Sequence, residues 1–326
     1  MIKRVLLLLI IAALSVGGWL AYFMSTPLVL PVTPFEFSVK SGSSMKGVAQ
    51  QLADAGLIKH PFSFTLAARL AGKGAAIKAG NYALEGAITP WQLLQKLTKG
   101  DLTQTQVKFI EGWNFKQVRQ TLDRIPNLQH DTRGLSDAEV MAKLGFPEQH
   151  PEGRFFPDTY FFSSGMSDLA VLKRAHKLMQ TQLEKVWSKR ATKLPYATME
   201  EALILASIVE KETGQAVERP MIAGVFANRL RVGMLLQTDP TVIYGLGEHF
   251  DGNLRKHDLQ TDTPYNTYTR AGLPPTPIAM PGLEALRAAV NPASTKALYF
   301  VARGNGAHQF SSTLAEHNQA VNKYQR

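Results

Sequence analysis

Leu203-Ile204-Leu205-Ala206-Ser207-Ile208-Val209-Glu210-Lys211-Glu212-Thr213 is an apolar run that ends on two carboxylates with a lysine between them. Set on an α-helix at about 100° per residue, Leu205, Ile208 and Val209 form one apolar stripe. Glu212 projects between Ile208 and Val209, one turn further on. A carboxyl at the end of a buried face is desolvated, and desolvation raises its pKa. A carboxyl that keeps its proton at neutral pH is suited to general-acid work. Glu210 points about 160° away around the helix, so the two are poorly placed to act as an opposed pair. Spacing alone leaves a second reading of Glu212 open. It is a helix-end carboxylate that reaches water or pairs with an arginine such as Arg219.

Downstream, polar residues gather in loops. Phe226-Ala227-Asn228-Arg229-Leu230-Arg231 reads as an amphipathic helix, followed by Leu236-Gln237-Thr238-Asp239-Pro240-Thr241. Tyr265-Asn266-Thr267-Tyr268, Gly272-Leu273-Pro274-Pro275 and Pro277-Ile278-Ala279-Met280-Pro281-Gly282 come later. Loop amides, hydroxyls and tyrosines suit sugars, because flat rings cover a pyranose face and fixed dipoles meet its hydroxyls. The same residue types also build turns.

Upstream, the N-terminus is the strongest physical signal. Lys3 and Arg4 precede an uncharged stretch from Val5 to Met24, and the next charged side chain is Glu36. A bilayer core takes about 20 apolar residues as helix. Trp19, Tyr22 and Phe23 suit the interfacial aromatic belt, and the basic residues before the span belong on the cytoplasmic side. A cleaved signal peptide would end its apolar region in a small-x-small site. Bulky Trp19, Leu20, Tyr22 and Phe23 stand there instead, so the expectation is an uncleaved anchor with the rest of the chain outside the cytoplasm.

Three prolines in residues 25–36 read as an extended linker. Phe35, Phe37 and Val39 alternate as a strand. Ser41-Gly42-Ser43-Ser44 is a turn and N-cap, and helices follow from Met45 to Gly56 and from Pro61 to Ala71. Gly80–Leu84 reads as a returning strand, and Trp91–Leu97 as a helix closed by Gly100. This order resembles a LysM-like module, a fold that often holds N-acetylglucosamine polymers. A shift of 70 residues pairs Gly42 with Gly112, Lys46 with Lys116, Val48 with Val118, Gln50 with Gln120 and Leu52 with Leu122. That predicts another strand-turn-helix start over 107–122. Beyond it, helices are expected at 113–124, 136–144, 168–189, 198–213, 217–231 and 313–323. Strands are expected near 297–302 and 308–310, with Gly and Pro crowding 264–293. The class is α+β, with an anchor (1–24), a linker (25–36), a LysM-like module (37–105) and a larger catalytic domain (106–326).

Composition narrows the chemistry. The 326 residues allow about two domains, or three. Apolar residues make up 45% and charged residues 19%, enough for buried cores. A net charge of +10 favours an anionic partner. The absence of cysteine removes disulfides, thiolate metal sites and a Cys nucleophile. None of the eight histidines sits in a tight metal spacing. No nucleophile elbow, dinucleotide loop or Walker loop is present. Ser43-Ser44-Met45-Lys46 fits S-x-x-K but lacks its companion boxes. Positive charge is scattered rather than striped, which disfavours nucleic acid.

Together, Ala206–Thr213, Asn228-Arg229-Leu230, Leu236–Thr241, Tyr265–Tyr268, Gly272–Pro275 and the upstream Phe156-Pro157-Asp158-Thr159-Tyr160 resemble the YceG-like family of endolytic murein transglycosylases. The plan of an anchor followed by a LysM-like unit fits as well. The resemblance implies an enzyme of the bacterial inner membrane whose main domain is periplasmic. It implies cleavage of peptidoglycan between N-acetylmuramic acid and N-acetylglucosamine, leaving 1,6-anhydro-N-acetylmuramic acid ends. The family works beside cell-wall synthases and terminates nascent strands. Its catalytic glutamate carries over to Glu212, with neither metal nor organic cofactor. Asn228, Gln237, Asp239, Tyr265, Asn266 and Tyr268 become candidate cleft groups, although Asp239 and Asn266 equally suit turn caps. The alternative from another class is a non-catalytic peptidoglycan-binding scaffold of the synthesis machinery.

Overall fold

A computed structural model describes residues 2–33, 35–40, 42–84, 86–100, 105–162 and 165–325. Pro34 of the expected linker, Ser41 of the expected turn and residues 101–104 before the expected domain boundary lie outside the described residues. The chain divides into two compact units, Met1–Thr105 with Phe161–Met166, and Gln106–Tyr160 with Ser167–Arg326.

The first unit begins with α1 (Ile2–Ser25), a helix of 24 residues that is long and apolar enough to cross a membrane. Its side chains from Val5 to Val16 are exposed, whereas Leu20, Phe23 and Met24 near its end are buried. The segment after it is tied down. Leu28 N–H donates to Ile88 O at 2.8 Å, and Leu28 and Leu30 pack on the same core as Phe23 and Met24. Among the described residues of this segment only Leu28 and Leu30 are partly buried, while Val29 and Val32 stay exposed. β1 (Phe35–Val39) pairs antiparallel with β2 (Gly80–Leu84), with Phe37 stacked on Tyr82 at 5.3 Å. Between the strands lie α2 (Met45–Asp54) and α3 (Pro61–Leu70). α4 (Pro90–Lys99) follows, started by a Thr89–Gln92 capping box and ended by left-handed Gly100.

The second unit takes in most of β3 (Thr105–Lys108), α5 (Phe115–Asp123), α6 (Asp137–Leu144) and the first two residues of β4 (Thr159–Phe162), and β4 pairs with β3. The sequence echo has a local counterpart. Gly42 and Gly112 both adopt left-handed turns, with φ of 81° and 77°. Two residues later Ser44 and Asn114 cap α2 and α5. Val48 and Leu52 are buried in one helix, and Val118 and Leu122 in the other. The same strand-turn-helix start is thus built twice.

Then come α7 (Asp168–Trp187), α8 (Met199–Glu212), α9 (Arg219–Arg231), α10 (Asp239–Leu246), α11 (Lys256–Gln260) and α12 (Leu283–Val290). An antiparallel hairpin, β5 (Tyr299–Ala302) with β6 (His308–Ser311), and α13 (Leu314–Tyr324) complete the unit. α8 is its centre, with α7, α9 and α12 packed on it. Every residue from Ala202 to Val209 is buried, so the helix is enclosed all round rather than along the single stripe that the projection suggests. Ser207 is satisfied inside: it donates to Ile204 O at 2.7 Å and accepts from Ile278 N–H at 3.0 Å. Gly224 of α9 permits a close approach, since a Cβ there would stand 2.7 Å from Ala293 O.

Two helices stand where loops are expected. α10 contains Asp239-Pro240-Thr241, with Pro240 in its first turn. α12 follows Pro281-Gly282 and buries Ala285, Leu286, Ala288, Ala289 and Val290. Apolar runs of this length are too short for periodicity to declare. The helix expected from 217 begins as a short 3₁₀ turn over Ala216–Glu218 and becomes α9 at Arg219.

Candidate active site

A capping box, Thr198 with Glu201, starts α8, and the buried run carries it through the core to Glu210, Lys211 and Glu212. The two glutamates part there. Glu210 is held inside: its Oε1 accepts from Arg219 Nη2 at 2.9 Å and its Oε2 from Gly282 N–H at 2.9 Å. Only 5% of its side chain is exposed, and burial raises its pKa against those two partners. The pairing with Arg219 that spacing allowed for Glu212 is therefore made by Glu210.

Glu212 borders a cavity of about 450 Å³. Burial pushes its carboxyl up to about 7, with Asp239 adding to the rise. The Thr238 hydroxyl, which donates to Oε1, and the neighbouring His308 and Arg229 oppose it. The Thr238 side is firmly built. Thr238 N–H donates to Thr267 Oγ1 at 3.1 Å, and that hydroxyl shares a hydrogen bond of 2.9 Å with Thr241 Oγ1. Gln237 precedes it in the left-handed region, with φ of 48°, its N–H donating to Thr267 O at 3.0 Å. A non-glycine residue held there stores strain, which concentrates at functional sites.

Arg229 floors the cavity. Its Nε donates to Leu298 O at 2.7 Å and its Nη1 to Leu236 O at 2.8 Å, and its guanidinium lies over the Tyr299 ring at 5.3 Å. Tyr268 Oη donates to Asp239 Oδ1 at 2.5 Å. The β5–β6 hairpin and α13 supply a further wall with Tyr299, His308 and His317, and the Tyr299 and His317 rings stack at 5.1 Å.

Of the cleft groups expected from sequence, Gln237, Asp239 and Tyr268 share this cavity with Glu212. Asn228, Tyr265 and Asn266 do not line it. Asn228 Nδ2 donates to Thr295 O and Ala297 O at 2.8 and 3.0 Å, tying α9 to the strand that follows. Asn266 is fully buried, with Nδ2 reaching Asp258 O, Leu259 O and Thr261 O and Oδ1 accepting from Tyr268 N–H. Tyr265 Oη bonds Thr276 Oγ1 at 2.8 Å, and its ring packs on Tyr244. Their polar groups satisfy backbone and neighbours. Sequence reading missed Arg229, Tyr299, His308 and His317. Arg229 stood inside a quoted motif, and the hairpin was expected as strands, but nothing local says which side of it faces Glu212.

A second buried carboxyl, Glu152, is also pushed up to about 7 by burial. It accepts from Phe115 N–H at the start of α5, at 3.1 and 3.2 Å, and from Tyr244 Oη at 3.1 Å, so its work is to join α5 to α10. Among the described residues no cluster of three or more His, Cys, Asp or Glu is arranged to hold a metal ion.

A mixed helix-and-sheet unit with a carboxyl pushed up to about 7 in a polar cavity defines a candidate acid–base enzyme site. The YceG-like family profile matches residues 37–323, and the chain belongs to that family. An endolytic murein transglycosylase of Bacillus subtilis (strain 168) is 33% identical, covering 95% of this chain and 91% of that protein. One of Streptococcus pneumoniae serotype 2 (strain D39) is 28% identical over 96% of this chain, which spans 63% of its length. The crystal structure of a putative yceG-like protein from Listeria monocytogenes superposes with a TM-score of 0.57 at 30% identity, covering 87% of this chain and 98% of that one.

Proposed function

We infer that this chain is an endolytic lytic transglycosylase of the bacterial envelope. It cleaves peptidoglycan strands between N-acetylmuramic acid and N-acetylglucosamine and leaves 1,6-anhydro-N-acetylmuramic acid ends, terminating nascent strands. The observation that carries the reading is Glu212, a carboxyl titrating at about 7 in a polar cavity, in a chain whose relatives bear that enzyme name.

The chemistry asks little of the protein. Protonated Glu212 donates to the bridging oxygen as the bond breaks through an oxocarbenium-like state. The muramoyl C6 hydroxyl closes onto C1 and gives up its proton. In the simplest scheme the Glu212 carboxylate receives it. No water is consumed, so no opposed second carboxylate is needed. Gln237, Asp239 and Tyr268 orient the sugar or its peptide from the same cavity.

α1 anchors the chain in the inner membrane, with Lys3 and Arg4 cytoplasmic and the second unit periplasmic. The order β1-α2-α3-β2 of the first unit supports a LysM-like module that holds the glycan. Cell-wall synthases are the natural partners of a strand terminator.

The full-length chain in detergent, incubated with sacculi, releases anhydro-ended muropeptides detectable by mass spectrometry. The Glu212→Gln variant releases none. Reducing N-acetylmuramic acid ends would make the protein a hydrolase. Intact glycan length with retained sacculus binding would make it a scaffold.

A further inference from the structure

His308 enters the Glu212 cavity from β6, and its ring is fixed from three sides. Its Nδ1 lies 2.8 Å from Glu218 Oε2, and its backbone N–H donates to Glu218 Oε1 at 2.9 Å. Phe300 and Phe310 flank the ring at 5.4 and 6.4 Å. The side chains of His308 and Glu218 are only 12% and 14% exposed. A carboxylate only accepts, so in the neutral ring the hydrogen sits on Nδ1. Nε2 is then the free nitrogen, and among the described residues it has no hydrogen-bond partner. A carboxylate that fixes the tautomer of a largely buried imidazole, leaving the other nitrogen open to a cavity, is the arrangement of a general base.

We propose that the Glu218–His308 pair takes the second proton transfer of the reaction, with His308 Nε2 receiving the proton of the muramoyl C6 hydroxyl and Glu218 positioning the ring. The inference rests on the transglycosylase reading and divides its acid and base duties between two groups. Glu212 gives its proton to the bridging oxygen while the C1–O bond breaks. The C6 oxygen bonds to C1 and its proton passes to His308. The enzyme is left with a Glu212 carboxylate and a protonated His308. Return of one proton from His308 to Glu212 through solvent resets both, and nothing else is consumed. The positive charge on His308 also stabilises the carboxylate that Glu212 has just become. Glu218 stands behind the imidazole; Glu212, Arg229, Asp239, Tyr268, Tyr299 and His317 border the same cavity.

The test is the pH dependence of turnover on soluble uncrosslinked glycan strands, using the full-length chain in detergent with His308→Gln and Glu218→Gln. Wild type should lose rate on the acid side, where the base is protonated, and on the alkaline side, where Glu212 is ionised. His308→Gln should lower kcat by roughly 10²–10⁴-fold, leave KM near wild type and abolish the acid-side fall. Glu218→Gln should lower kcat less and displace that limb. A pair that only staples the hairpin would lower thermal stability and leave the profile unmoved, which overturns the inference, as does a wild-type rate in His308→Gln. Should His308→Gln fail to fold, an unmoved profile in Glu218→Gln is equally fatal. Turnover surviving in Glu212→Gln instead overturns the reading beneath it.

Discussion

Glu210 and Glu212 leave the same helix two residues apart and meet opposite surroundings. Glu210 is locked by Arg219 and the Gly282 N–H, whereas Glu212 meets one hydroxyl, Thr238, and an open cavity. One carboxylate holds the fold around the site, and the other keeps the freedom to exchange a proton.

That freedom has a cost in stability. The folded pKa of Glu212 is raised from 4.5 to about 7, so the folded state binds the proton more tightly than the unfolded chain. Its contribution is full below about pH 4.5 and is lost as pH rises through 7. Glu212→Gln should therefore abolish lysis yet stabilise the fold above neutrality, by on the order of 2 kcal/mol. Thermal melts between pH 4.5 and 8.5 should show the variant's advantage growing with pH; a constant gap would contradict the burial argument.

Thr238→Val removes the only side-chain donor reaching Glu212 among the described residues. A hydrogen bond to a charged group contributes about 1.5–3 kcal/mol. The variant should lose roughly ten- to a hundredfold in kcat, and its alkaline limb should move to higher pH. Thr238→Ser restores the donor and should restore both.

Glu210→Gln leaves Arg219 buried, with Glu111 as its remaining acidic neighbour at 3.7 Å. Removing one partner of a buried ion pair is costly, here about 3 kcal/mol. Urea unfolding should register that loss, while the molecules still folded keep most of their turnover. A variant of wild-type stability with no turnover would mean that Glu210, rather than Glu212, acts in the reaction.

Gln237→Gly should relieve the left-handed backbone at φ 48°, a gain of about 1 kcal/mol offset by glycine's greater freedom when unfolded. The net change in denaturation midpoint is small. Loss of the side chain from the cavity should raise KM for glycan more than it lowers kcat. A large stability loss would show that the amide of Gln237, rather than its backbone, holds the Thr238 segment.

Glu152 titrates at about 7 for the same reason as Glu212, but it is spent on the Phe115 N–H and the Tyr244 hydroxyl. Glu152→Ala should destabilise the fold by about 1–3 kcal/mol at pH 5. The loss shrinks toward pH 8, where wild type has itself paid for ionising the buried group. Denaturant midpoints at the two pH values check the sign.

Much of this was legible along the chain, because local rules set it. The apolar span from Val5 to Met24, the capped start at Ser44 and the core helix ending in Glu212 follow from hydropathy, capping chemistry and period. The echo that pairs Gly42 with Gly112 and Leu52 with Leu122 was visible as a spacing before it was visible as a turn, whereas the matching cap at Asn114 emerged only in the structure. What only the tertiary structure decided is which polar groups face the cavity. Asn228, Tyr265 and Asn266 look the same in sequence as Gln237, Asp239 and Tyr268, yet the first three spend their hydrogen bonds on chain segments brought up from elsewhere. Arg229 and His308 reach Glu212 from α9 and from a hairpin almost a hundred residues beyond it. A hydrogen-bond partner is chosen by distance in space, and periodicity along a chain carries no information about distances between segments that meet only after folding.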